Sequence, residues 1–148
     1  MSVKIGISPI SWQNDDLPDL TAAYTMEQAL SEAREIGYTG NLLTNDVKTE
    51  IEAVRQQVEQ FAALKAPCIV YAECSNTVQG NIAVPVNNRP KFAAADVRAY
   101  GAKLSELAKW MADQGVTLAY HHHMGSFIES EDDVNALMEG STPDVKLL

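Results

Sequence analysis

Basic residues are scarce in this chain: 11 Lys and Arg stand against 20 Asp and Glu, for a formal net charge of −9 and a sequence pI near 4.6. Nonspecific affinity for nucleic acid comes chiefly from Lys and Arg neutralising phosphates, so no nucleic-acid partner is expected. Cysteine is scarcer still, at two. Cys68 and Cys74 form neither a CxxC pair nor a disulfide framework, and Cys68 heads an apolar run as a buried thiol would. Long hydrophobic runs are also lacking, for no window approaches the roughly 18 to 20 apolar residues of a membrane span. Met1-Ser2-Val3-Lys4 leads straight into a strand-like run without the pattern of a secretory leader, so a cytoplasmic protein with no membrane partner is expected. What is present suits one ordinary folded domain: 148 residues, 46% of them hydrophobic.

All three histidines stand side by side, as His121-His122-His123, after the apolar run Val116-Thr117-Leu118-Ala119-Tyr120 and before Met124-Gly125. That run reads as a short buried strand with the histidines at its carboxyl end, where ligands collect in α/β folds. Alternation along a strand places His121 and His123 on one face and His122 on the other, and two imidazoles on one face suit a divalent metal or a polar substrate. An expression tag would sit at a terminus; this triplet is internal.

Along the chain, Val3-Lys4-Ile5-Gly6-Ile7 reads as a strand running into a polar loop, Ser8 to Asp16, with Trp12 in its middle. Thr25-Met26-Glu27-Gln28 resembles a capping box and opens a helix that Gly37 stops. Gly40-Asn41-Leu42-Leu43 offers hardly any strand before Thr44-Asn45-Asp46 opens a second helix, whose face is Val47, Ile51, Val54, Val58, Phe61 and Leu64. Cys68 to Glu73 follows as a continuous strand ending in a carboxylate, then a long loop from Cys74 to Phe92. In that loop Asn76, Asn87, Asn88 and Arg89 are polar candidates for contacting a hydroxylated ligand. A helix from Ala93 to Gln114 carries Val97, Tyr100, Leu104, Leu107, Ala108 and Met111 on its apolar side. After the histidine strand, Ser130 caps a short helix with Val134, Leu137 and Met138, and Val145-Lys146-Leu147-Leu148 reads as a strand. This is a parallel α/β pattern with one strand missing where two helices meet near Gly40.

Four segments together resemble the inosose dehydratases of inositol catabolism, members of the xylose-isomerase-like barrel superfamily. They are Lys4 to Trp12 with Asn14-Asp15-Asp16-Leu17-Pro18, then Val70-Tyr71-Ala72-Glu73, then Arg89-Pro90, and Leu118 to Gly125 followed by Glu129. The order and spacing are those of the family over nearly the whole chain. Family members are about twice this length, with a further strand, helix and strand between Gly40 and Asn41 and more barrel strands after Leu148. The resemblance therefore implies a partial (β/α)8 TIM barrel with parallel strands, about half of it present, in a single domain over 1–148. Residues 1–40 would be a first βα unit and 41–148 the later units after a missing segment.

The resemblance further implies a hydro-lyase that removes water from 2-keto-myo-inositol, a small cyclic polyol ketone, through an enol. The superfamily's divalent metal, Mn²⁺ or Co²⁺ for a mixed imidazole and carboxylate site, would stabilise the enolate, and glutathione is a further implied cofactor. Glu73, His121 and His123 are the candidates for proton transfer, and Trp12, Asn14, Arg89 and His122 for substrate contact. His123 and Glu129 are the metal candidates, with His121 also open as a ligand. A metal-dependent sugar isomerase or epimerase on the same barrel is the alternative enzyme. A noncatalytic fragment that pairs with another copy, as a homo-oligomer, is the alternative of a different class. The 148-residue chain alone is expected to show little or no turnover, with open strand edges and an exposed Val47-Ile51-Val54-Val58 face.

Overall fold

A computed structural model describes residues 37–79 and 81–148 of the chain. The expected strand Val3 to Ile7, the loop holding Trp12 and Asn14, and the helix from Thr25 lie outside the described residues. Within them the order is β1 (Gly37–Gly40), α1 (Val47–Ala63), β2 (Cys68–Glu73), a 3-10 turn (Val86–Asn88), α2 (Ala94–Asp113), β3 (Thr117–Tyr120), α3 (Glu131–Gly140) and β4 (Val145–Leu147). The strands form one sheet in the order β1-β2-β3-β4, and all three pairings are parallel. Each pairing is bridged by a helix, as parallel neighbours require. Chain order and spatial order coincide, without the reversal that marks a doubly wound sheet.

β1 corrects the expectation of a missing strand. Gly37-Tyr38-Thr39-Gly40 pairs residue for residue with Val70 to Glu73, so a strand does precede α1. The strand escapes a pattern reading because two of its four residues are glycine, which has low strand propensity. Tertiary packing selects the residue instead: a Cβ on Gly40 would lie 1.9 Å from Cζ and Oη of Tyr71.

The helices form because their apolar residues recur on one face, and the face is covered. Val54, Val58 and Phe61 of α1, and Val97, Tyr100, Leu104, Leu107, Ala108 and Met111 of α2, join Ile69, Tyr71, Leu118 and Tyr120 of the sheet in one core. Here too an expectation is corrected. Val54 and Val58 are buried and Val47 and Ile51 pack against the core, so that face is not open to solvent; Leu64, placed on it by spacing, is exposed, and Glu50 takes part in the face instead. Asp46 accepts from the amide of Thr49 at the start of α1. Ser130 and Asp133 form a reciprocal capping box at the start of α3. α2 packs against both other helices, and most intimately against α3.

That closest contact depends on glycine. A Cβ on Gly140 would stand 2.3 Å from the carbonyl oxygen of Arg98 and one on Gly101 2.7 Å from that of Leu137, and backbone atoms cannot swing away. Gly140→Ala gains helix propensity of at most about 1 kcal/mol, while overpacking typically costs about 1 to 3 kcal/mol. The expected outcome is a lower urea midpoint with unchanged helical content by circular dichroism; a raised midpoint would show that α2 and α3 separate freely.

Candidate functional site

Parallel pairing gathers the loops that follow β1, β2 and β3 at one edge of the sheet. The loop after β3 carries the histidines. Regular pairing ends at Tyr120, but the His121 amide still donates to the carbonyl of Tyr71 at 2.9 Å, which extends the ladder by one bond. Tyr120 packs edge-on against Tyr100 of α2, with ring centroids 6.3 Å apart. Alternation therefore turns His121 to the opposite sheet face, away from the helices. Beyond His121 the backbone is loop and strand alternation no longer governs. His121 and His123 are nevertheless brought together, half-buried, with ring centroids 5.3 Å apart and planes at 88°, while His122 is exposed with its ring 6.0 Å from that of His121. Burial, then the neighbouring His123 and His122, holds the His121 pKa below its ordinary value, which favours the neutral imidazole.

The loop is folded by its own residues. Gly125 adopts φ +79°, a left-handed conformation natural to glycine. Its amide donates to Glu129 Oε2 at 2.6 Å, and its carbonyl accepts from the amide of Val78 at 3.0 Å. The amide and hydroxyl of Ser126 both reach the carbonyl of His123, at 3.1 and 2.7 Å. The Phe127 ring is wedged between Phe92 and Tyr100, with centroids 4.9 and 5.1 Å away. The loops after β2 and β3 thus share a border.

Glu73 ends β2 fully buried. Its carboxylate accepts from the amides of Leu43 at 2.8 Å and Ser75 at 3.1 Å, so it joins the loops after β1 and β2. Burial outweighs these bonds and raises its pKa. In register it lies two residues beyond Tyr71, on the helix side, so the sheet separates it from the face of His121. A second buried carboxylate escaped the pattern reading. Glu50 of α1 accepts from the Tyr71 hydroxyl at 2.8 Å, the Asn41 amide at 3.1 Å and Asn45 Nδ2 at 2.9 Å. Its signal was its spacing, four and eight residues before the buried Val54 and Val58. Lys103 of α2 completes the arrangement by donating to the carbonyls of Leu42 and Asn45.

Arg89 is buried and bonded to protein groups, Asp133 foremost at 2.8 Å. Asn87 and Asn88 are exposed. Asn76 buries its Oδ1 without a hydrogen-bond partner among the described residues. No group of three or more His, Cys, Asp or Glu side chains among the described residues is arranged to hold a metal ion. Glu129 is turned onto its own loop and Nδ1 of His123 lies 3.0 Å from the carbonyl of Met124, so these two do not make a metal shell by themselves.

The geometry defines a class: a parallel α/β protein with a histidine-bearing loop at the carboxyl edge of its sheet. No family model matches the chain. Curated proteins do: rhizopine catabolism protein MocC of Rhizobium meliloti is 35% identical over 180 aligned positions that take in all of this chain and 55% of that protein. The inosose dehydratase of Glaesserella parasuis serovar 5 is 30% identical over 99% of this chain and 60% of its own length, and that of Mesomycoplasma hyopneumoniae 25% over 97% and 58%. This chain is a relative of these proteins and spans somewhat more than half their length. Against 148 residues, the 180 aligned positions of the first leave at least 32 at which this chain has no residue. Among the described residues, no helix is long and apolar enough to cross a membrane.

The raised pKa of Glu73 has a consequence for stability. Between the ordinary glutamate pKa and the raised folded value the native state binds more protons than the unfolded chain, so the contribution of Glu73 is full below that window and falls as pH rises through it. Urea unfolding of the protein and of Glu73→Gln from pH 4 to pH 7 is expected to show the advantage of glutamate shrinking as pH increases. A pH-independent difference would mean that Glu73 titrates as it does in the unfolded chain.

Proposed function

We propose that this chain carries part of a (β/α)8 barrel lyase of the inosose dehydratase type, which removes water from 2-keto-myo-inositol in inositol catabolism. The observation that carries the reading is the match to proteins named inosose dehydratase over nearly the whole chain, and two further features support it. The strands run parallel in chain order, as in a barrel wall, and the histidine run falls at their carboxyl edge.

The reaction must take a weakly acidic proton from the carbon beside a ketone and assist departure of a hydroxyl group on the next carbon. His121, held neutral by burial, is suited to accept the proton, and His123, whose ring meets it edge-on, to supply one to the leaving oxygen. His122 and, in the segment outside the described residues, Trp12 and Asn14 are offered to the polyol ring. Glu73, behind the sheet, acts by holding the amides of Leu43 and Ser75 in place. The reading includes a divalent metal, Mn²⁺ or Co²⁺, and glutathione as cofactors. Among the described residues no cluster of three or more His, Cys, Asp or Glu side chains is arranged to hold that metal. The reading expects the 148 residues alone to bind substrate with little or no turnover, because they span little more than half the length of the dehydratases they match.

Binding at the histidines is therefore the measurement that decides. Adding 2-keto-myo-inositol to protein labelled at histidine should shift the ring resonances of His121 and His123, and those of His122 where it meets the polyol ring. Dione absorbance followed with Mn²⁺ or Co²⁺ present is expected to rise slowly or not at all. Histidines that do not respond, together with no dione, sink the reading. An isomerised or epimerised product would replace it with an isomerase on the same barrel.

A further inference from the structure

We propose that Arg89 is a positioning residue, the clamp that sets the conformation of the histidine loop, and that its guanidinium does not contact substrate. The inference deepens the reading above, and its structural arm stands without it. The side chain of Arg89 is only 8% exposed, and each of its three nitrogens already faces an acceptor. Nη2 donates to Asp133 Oδ2 at 2.8 Å; Nη1 reaches the carbonyls of Pro90, Ser126 and Phe127 at 3.3, 3.3 and 3.4 Å; and Nε lies 3.7 Å from Glu129 Oε1. A guanidinium is a fixed planar fork, so acceptors set around it are fixed relative to one another, and a side chain already engaged at Nη1 and Nη2 and paired in charge at Nε is poorly placed to turn toward a ligand.

Those acceptors lead to the histidines. Glu129, with one carboxylate oxygen beside Arg89, receives the Gly125 amide on the other at 2.6 Å. Ser126, whose carbonyl meets Arg89, grips the carbonyl of His123 through both its amide and its hydroxyl. Asp133, the strongest partner, also receives the amides of Glu129 and Ser130, and so fixes the point where the loop enters α3. Two bonded steps therefore connect Arg89, in the loop after β2, to the backbone of His123, in the loop after β3. A buried cation answered by two carboxylates would be costly to leave half-paired, which makes the clamp an all-or-none device.

Amide hydrogen exchange in the full chain tests this directly. Loss of a charge-assisted bond should speed exchange at Gly125 and Ser126 by about tenfold or more in Arg89→Met. Glu129→Gln, which leaves the Arg89–Asp133 pair intact and so guards against simple unfolding, should speed Gly125 similarly. Arg98→Met, which breaks the exposed pair with Glu139 (2.6 Å), should change neither amide. Where turnover of 2-keto-myo-inositol is measurable, Arg89→Met should lower kcat by on the order of 10²-fold, as expected of a catalytic group displaced by about 1 Å, with KM within about threefold. Unchanged exchange at Gly125 and Ser126 in both variants overturns the clamp. Unchanged exchange with loss of 2-keto-myo-inositol binding in Arg89→Met would make Arg89 a substrate ligand. The exchange result does not depend on the protein being a dehydratase, so failure of the clamp and failure of the functional reading are seen separately.

Discussion

Parallel pairing of consecutive strands is the constraint from which the rest of this structure follows. A parallel neighbour can be reached only by a crossover, so each of β1, β2 and β3 is followed by a helix that returns the chain to the starting edge. All strand ends of one polarity then lie together, and the loops after β1, β2 and β3 become neighbours although up to 80 residues separate them in the chain. The helices contribute the apolar area that makes the arrangement stable, and the carboxyl edge is left for polar chemistry. The histidine run lies at that edge because it directly follows β3.

Two carboxylates buried without solvent would be a liability if their oxygens were unanswered. Glu50 and Glu73 are answered mainly by backbone amides of the loops, and Glu50 also by Tyr71 and Asn45. Lys103 meets the carbonyls of the same loop after β1. The loop is thereby held by acceptors for its amides and a donor for its carbonyls, a satisfied network in which each member needs the others. Such a network rigidifies the edge of the sheet beneath the histidines. The buried aromatic residues Tyr71, Tyr100 and Tyr120 fill the space between this network and the helices.

The loop after β3 is rigid for a different reason. It packs Phe127 into an aromatic cluster, takes a left-handed turn at Gly125 and is crossed by the guanidinium of Arg89. Those contacts join it to the loop after β2, so the two loops behave as one body. A long connection such as Cys74 to Phe92 would otherwise be free to move; here Val78 and Arg89 bind it to the histidine segment at two points.

The apolar periodicity of α1 and α2, the cap at Ser130, the strand from Cys68 to Glu73 and the placement of the histidines at a strand end were all legible in the sequence. Each is a local property: side-chain spacing and capping chemistry depend on residues within a turn or two. The resemblance carried by the histidine segment was legible too, since its residues are contiguous. Three things were not. Gly37–Gly40 is a strand only because β2 lies beside it, and no propensity of Gly-Tyr-Thr-Gly announces that. Glu50 occupies a core position only because Tyr71, 21 residues on, supplies a hydroxyl to its carboxylate. Arg89 reads in sequence as one of several polar loop residues able to contact a hydroxylated ligand, and nothing local announces that the structure sets it against acceptors from a segment 37 to 44 residues away. The physical reason is common to all three: a strand's partner, a buried charge's counter-group and a loop's anchor are long-range pairings, and a sequence shows what each residue offers but not which groups the fold brings to meet it.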